Sequence, residues 1–144
     1  MYRKILVPLD GSPLAEKALP HAEAIAKSEG AEIVILRVPI VPGPELYMHE
    51  AVIASKILEE AEQEAADYVK EKVHQLKRHN LNVTGITRDG PVPDTILAVA
   101  EEINADVIAM STHGRTGIQR WLMGSVADRV IHHTSIPVMV IHPN

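Results

Sequence analysis

The chain has 144 residues, 46% of them hydrophobic, and a net charge of −5 from 14 basic and 19 acidic side chains. That is one domain's worth of residues with a sizeable core, too apolar for a disordered chain and too acidic for a nucleic-acid binder. With no cysteine, no phenylalanine and one tryptophan, disulfides, thiolate catalysis, Cys-ligated zinc and an aromatic platform for single-stranded bases are all excluded.

In chain order, Ile5-Leu6-Val7-Pro8-Leu9 is a continuous apolar run, the pattern of a strand buried on both faces of a parallel sheet. Its first residues carry no signal-peptide h-region, and no apolar run reaches the roughly 18–20 residues of a membrane span. A cytoplasmic protein with no membrane partner is expected. Ser12 fits a helix N-cap and Pro13 the first helical position; Leu14, Ala18, Leu19, Ala22, Ile25 and Ala26 recur at helical spacing up to Gly30, with Pro20 expected to kink the helix.

Glu32 to Val38 is a second buried strand, and the proline-rich stretch Pro39 to Pro44 is a loop. A long helix is expected from about Glu50 to Arg78, with one apolar stripe through Ala54, Ile57/Leu58, Ala61, Ala65, Tyr68/Val69, Val73 and Leu76. Leu81 to Arg88 alternates weakly and suits a strand near the sheet edge. A turn at Asp89-Gly90-Pro91-Val92-Pro93 precedes a helix from about Pro93 to Ile103. Val107 to Met110 is the fourth strand, Gly124 to His133 a helix and Ile136 to Ile141 the fifth strand, with Pro137 at its tolerant start.

Strands alternating with helices predict a single domain, 1–144, with a mostly parallel, doubly wound α/β sheet. In such sheets ligands sit beyond the strand C-termini, where strand order reverses. Two loops compete for that place. Leu9-Asp10-Gly11-Ser12 ends the first strand and carries a carboxylate. Met110 to Val126 ends the fourth, and its Gly114 and Gly124-Ser125 let backbone N–H groups approach an anion at a helix start. The two loops meet if the strands are neighbours.

Taken together these residues resemble the universal stress protein family over nearly the whole chain. The resemblance is carried by Ile5 to Ser12, by Asp106-Val107-Ile108-Ala109-Met110-Ser111-Thr112-His113-Gly114-Arg115, by Gly124-Ser125-Val126-Ala127 and by the closing Ile136 to Ile141, in that order. It implies a five-stranded sheet of order 3-2-1-4-5 with helices on both faces, of the adenine nucleotide alpha hydrolase-like type. The family's nucleotide-binding members carry G-x2-G-x9-G-[S/T]; Gly114-x9-Gly124-Ser125 matches, while Ser111 stands at the first glycine. A positive φ there would cost a serine about 1 kcal/mol, and a negative φ only space. The milder alternative is favoured, because the second glycine and the helix entry remain.

The resemblance further implies ATP with Mg²⁺ as ligand. Asp10 would meet the ribose hydroxyls or, through Mg²⁺, the phosphates. Pro8, Val38 and Met110 would frame adenine and sugar, and Ser111, Gly114, Gly124, Ser125 and Val126 would border the phosphates. Arg115 and Arg120 would add charge, unless they are solvated surface arginines. A stress-response or regulatory homodimer paired through Pro137 to His142 is implied, together with a protein partner that the sequence does not identify.

Blander readings attach to the same residues. Asp10-Gly11-Ser12 is also a strong turn sequence, and Ser12 reads as a cap before it reads as a ligand contact. Adjacent His132 and His133 point about 100° apart on a helix and do not chelate together. No GxxxxGK[ST], GxGxxG or G-x-S-x-G is present. Nor is there a general base or lysine clamp for a γ-phosphate, so hydrolysis is expected to be slow or absent, with ATP a conformational ligand. The rival readings are a nucleotide-independent interaction module of the same fold and a slow ATPase.

Overall fold

The computed structural model describes residues 1–112 and 120–142, the side chains of 120–123 excepted. Five strands, β1 (Lys4–Leu9), β2 (Glu32–Arg37), β3 (Asn82–Thr87), β4 (Val107–Ser111) and β5 (Val138–Ile141), form one sheet in the order β3-β2-β1-β4-β5. Every pairing is parallel. The helices are α1 (Leu19–Glu29), α2 (Pro44–His49), α3 (Ala51–Lys77), α4 (Val92–Glu102) and α5 (Arg120–His133).

The apolar runs become the central strands because both faces of the sheet are covered. Ile5, Val7, Leu9, Ile33 and Ile35 pack with Ala22 and Ala26 of α1 and Val69 and Leu76 of α3. The alternate residues Leu6, Val34, Leu36, Ile108 and Met110 pack with Ile96 and Val99 of α4 and Ala127 and Val130 of α5. Asp106 sets the start of this central pair. Its carboxylate accepts from the backbone N–H groups of Arg3 (2.8 Å) and Lys4 (2.9 Å), and its own N–H donates to the Lys4 carbonyl.

Two expectations are corrected, at the first helix and the last, and one short helix is added. The helix expected from Ser12 to Gly30 is divided into a 3-10 turn at Ala15–Ala18 and α1, with Pro20 in the first turn of α1. Proline has no N–H for the carbonyl four residues back, so the chain tightens before it and restarts there. Pro44–His49 forms the short helix α2 where a loop meets the long helix, opened by Pro44 at its N-terminus. The last helix begins at Arg120, four residues before Gly124.

Other terminal signals hold. Gly30 takes φ +68 and closes α1, its N–H donating to the Ala26 carbonyl and Ala31 N–H joining the same carbonyl. The Ser12 hydroxyl accepts from Ala15 N–H at 3.1 Å, so the expected cap serves the 3-10 turn.

Candidate functional site

Strand order reverses between β1 and β4, which pair directly with each other while their connections leave in opposite directions. A crevice at such a reversal is where an open α/β sheet takes its ligand. Three strand ends surround it. Asp10 follows β1, Val38 follows β2, and Met110 and Ser111 end β4. Pro8, Val38, Met110 and Ser111 are buried, and Asp10 is half-buried. The apolar members bring a low-polarity wall, and Asp10 brings a carboxylate at its rim.

The Asp10 loop has tight local order. One carboxylate oxygen, Oδ1, accepts from the Ser12 N–H at 2.9 Å and from the Ser12 hydroxyl at 2.6 Å. Gly11 between them has φ +91, a region open to glycine at little cost. The turn role and the site role of Asp10 are therefore compatible: the turn is what holds the carboxylate at the strand end.

Ser111 lies within β4, pairs with Ile141 and is 2% exposed. Among the described residues, positive φ outside glycine occurs at Asn80 and Asn104 alone. A serine at position 111 thus costs no left-handed backbone, and the milder of the two alternatives applies.

The start of α5 changes the role of the residues after it. Gly124, Ser125 and Val126 lie in its second turn, where N–H groups are engaged along the helix rather than free as in the first turn. This corrects the expectation that Gly124-Ser125 opens the helix. A Cβ built on Gly124 would stand 3.9 Å from the Thr112 carbonyl oxygen, an ordinary contact distance, so packing at this position does not demand a glycine. The expected contacts Gly114 and Arg115 lie outside the described residues. Arg120 is the first residue of α5, and its side chain is outside them too.

Behind the Asp10 loop stands a polar cluster that sequence reasoning missed. Arg37 ends β2 opposite Leu9 of β1 and is 5% exposed. Its Nη2 meets Glu64 of α3 at 2.9 Å, and its guanidinium lies 5.0 Å from the Tyr68 ring centroid. Tyr68 donates its hydroxyl hydrogen to Glu16, which also pairs with Lys72 at 2.9 Å. Burial, followed by this hydrogen bond to Glu16, holds the Tyr68 phenol well above the ordinary range. The one sequence signal was an arginine closing an otherwise apolar strand, EIVILR. The strand itself was expected to be buried, and what its sequence does not show is that α3 supplies the partners of this arginine.

The model of the universal stress protein family matches residues 1–142. Universal stress protein MJ0531 of Methanocaldococcus jannaschii is 37% identical over 98% of this chain and 82% of its own length. The solved structure of protein MJ0577, from the same organism, superposes with a TM-score of 0.76 at 32% identity, covering 100% of this chain and 98% of that one. A universal stress protein solved in complex with cAMP has a TM-score of 0.73 at 22% identity, covering 99% of each chain, a likeness of fold alone.

Proposed function

This chain belongs to the universal stress protein family, and from that premise we propose that it is a cytoplasmic regulatory protein that binds an adenine nucleotide, ATP with Mg²⁺, as a conformational ligand. The observation that carries the reading is the convergence of Asp10, Val38 and Met110-Ser111 at the β1/β4 reversal. One carboxylate and an apolar wall suit a ribose and a purine. The fold also accommodates an adenine nucleotide in the member solved with cAMP.

In this reading Asp10 accepts hydrogen bonds from the ribose or, through Mg²⁺, orients the phosphates. Pro8, Val38 and Met110 exclude water from the base, and Ser111 borders the phosphates. The phosphates then meet the first-turn amides of α5, with Gly114 and Arg115 contributing as the family motif implies. Ser125 and Val126, in the second turn of α5 with Gly124, border the ligand by side chain rather than by N–H. Bound nucleotide supplies concentrated negative charge at these strand ends. In this reading binding and release, rather than hydrolysis, are the event. The protein works as a homodimer through β5, whose Val138, Met139 and Val140 are half-buried along the sheet edge.

Calorimetric titration of the full chain with Mg-ATP should give saturable binding that Asp10→Ala weakens about tenfold or more, the loss expected for a charged hydrogen-bond partner. Binding unchanged by Asp10→Ala contradicts the site. A second reading, a nucleotide-independent interaction module, is favoured by one observation: the amides of Gly124, Ser125 and Val126 are inside a helix. No heat and no thermal shift with Mg-ATP would support it.

A further inference from the structure

Arg37 is a cation buried in the side of the sheet occupied by α1 and α3, facing away from Val38 and Met110. Burying a charge is costly unless its partners compensate, so the position of this guanidinium calls for a physical account. Its compensation is incomplete. Nη2 is held by Glu64, whose side chain is 58% exposed, while Nε and Nη1 are buried without a hydrogen-bond partner among the described residues.

What the guanidinium does touch is the Asp10 loop. A Cβ built on Gly11 would stand 3.1 Å from Arg37 Nη1 and 3.3 Å from its Cζ. The backbone of Gly11 therefore rests on the guanidinium, and the unpartnered Nη1 is the nitrogen nearest it. The next turn is tied to the same helix, since Glu16 takes the hydroxyl of Tyr68 and the ammonium of Lys72. Loop and turn thus lean on three side chains of α3, two of them through Glu16 and the third, Glu64, through Arg37.

We propose that Arg37 is the positioning residue of the nucleotide carboxylate: it props the Asp10-Gly11-Ser12 turn from behind the sheet and couples its setting to α3 through Glu64 and Tyr68. The proposal rests on the reading of Asp10 as a nucleotide contact. A lysine would keep the charge but not the flat guanidinium that lies against Gly11 and over the Tyr68 ring, so it replaces Arg37 only in part. The coupling is reciprocal: what ties α3 more firmly to Arg37 tightens nucleotide binding, and nucleotide makes α3 harder to detach.

The test uses the full chain and four proteins: wild type, Arg37→Gln, Arg37→Lys and Glu64→Gln. Each is measured for Mg-ATP affinity by calorimetry, for melting temperature without nucleotide, and for hydrogen exchange at the Ser12 amide, which donates to Asp10. Arg37→Gln should weaken Mg-ATP binding about tenfold or more, with Arg37→Lys restoring only part of it. Glu64→Gln, whose side chain reaches solvent, should weaken binding about threefold while lowering the melting temperature less than Arg37→Gln does. Ser12 exchange should quicken in the same order. If Arg37→Gln does not fold, Glu64→Gln and Arg37→Lys decide. Wild-type affinity and wild-type Ser12 exchange in both overturn the proposal. If wild type itself ignores Mg-ATP, the nucleotide reading fails, and Ser12 exchange still decides whether Arg37 sets the turn.

Discussion

Gly11 carries two constraints at once, a φ of +91 and a guanidinium in the space where a Cβ would stand. Gly11→Ala should therefore cost about 1–2 kcal/mol from the backbone alone, with added cost from shifting Arg37. Urea unfolding of the two proteins measures it. Tyr68 offers a pH signature. The folded state keeps its phenolic proton well above pH 10.0, the ordinary value at which the unfolded chain releases it. The unfolded state then binds fewer protons, so this contribution is intact below about pH 10 and is lost as pH rises above it. Stability of Tyr68→Phe, followed by denaturant melts, should fall less steeply than wild type across that alkaline range. At this scale Asp10, Val38 and Met110 were legible because each ends or follows an apolar run. Arg37 was not, because its burial depends on Glu64 and Tyr68, residues on a helix far along the chain.

At the scale of elements, β3 sits under α3 only because position 85 has no side chain. A Cβ at Gly85 would lie 2.2 Å from Val69 Cγ1 and 3.0 Å from Val73 Cγ2. Gly85→Ala should destabilise by about 1–3 kcal/mol through overpacking. Val69→Ala in the same chain should recover part of that, which a double-mutant cycle of unfolding free energies measures. The strands and α3 could be read from sequence because burial on both faces, and a long stripe on one, leave periodic marks. Two helix starts could not. Pro20 looked like a kink, yet its missing N–H only makes it suited to a first turn, where α1 uses it. Gly124-Ser125 looked like a cap because glycine and serine favour caps. In α5 both residues lie in the second turn, and nothing local in the sequence places the helix start before them.

For the whole molecule, parallel pairing in the order β3-β2-β1-β4-β5 leaves β5 at an edge with Val138, Met139 and Val140 half-buried. Proposed pairing of two such edges predicts that Val140→Lys gives monomers or insoluble protein. A soluble dimer of unchanged mass by light scattering would remove β5 as the interface. The same order creates the reversal between β1 and β4 on which the nucleotide reading stands. The most direct measurement of that reading is to denature freshly purified protein and identify by chromatography whatever nucleotide it releases. The account predicts an adenine nucleotide, near one per chain, that Asp10→Ala loses. Protein that releases none and also gives no calorimetric heat with Mg-ATP would contradict it.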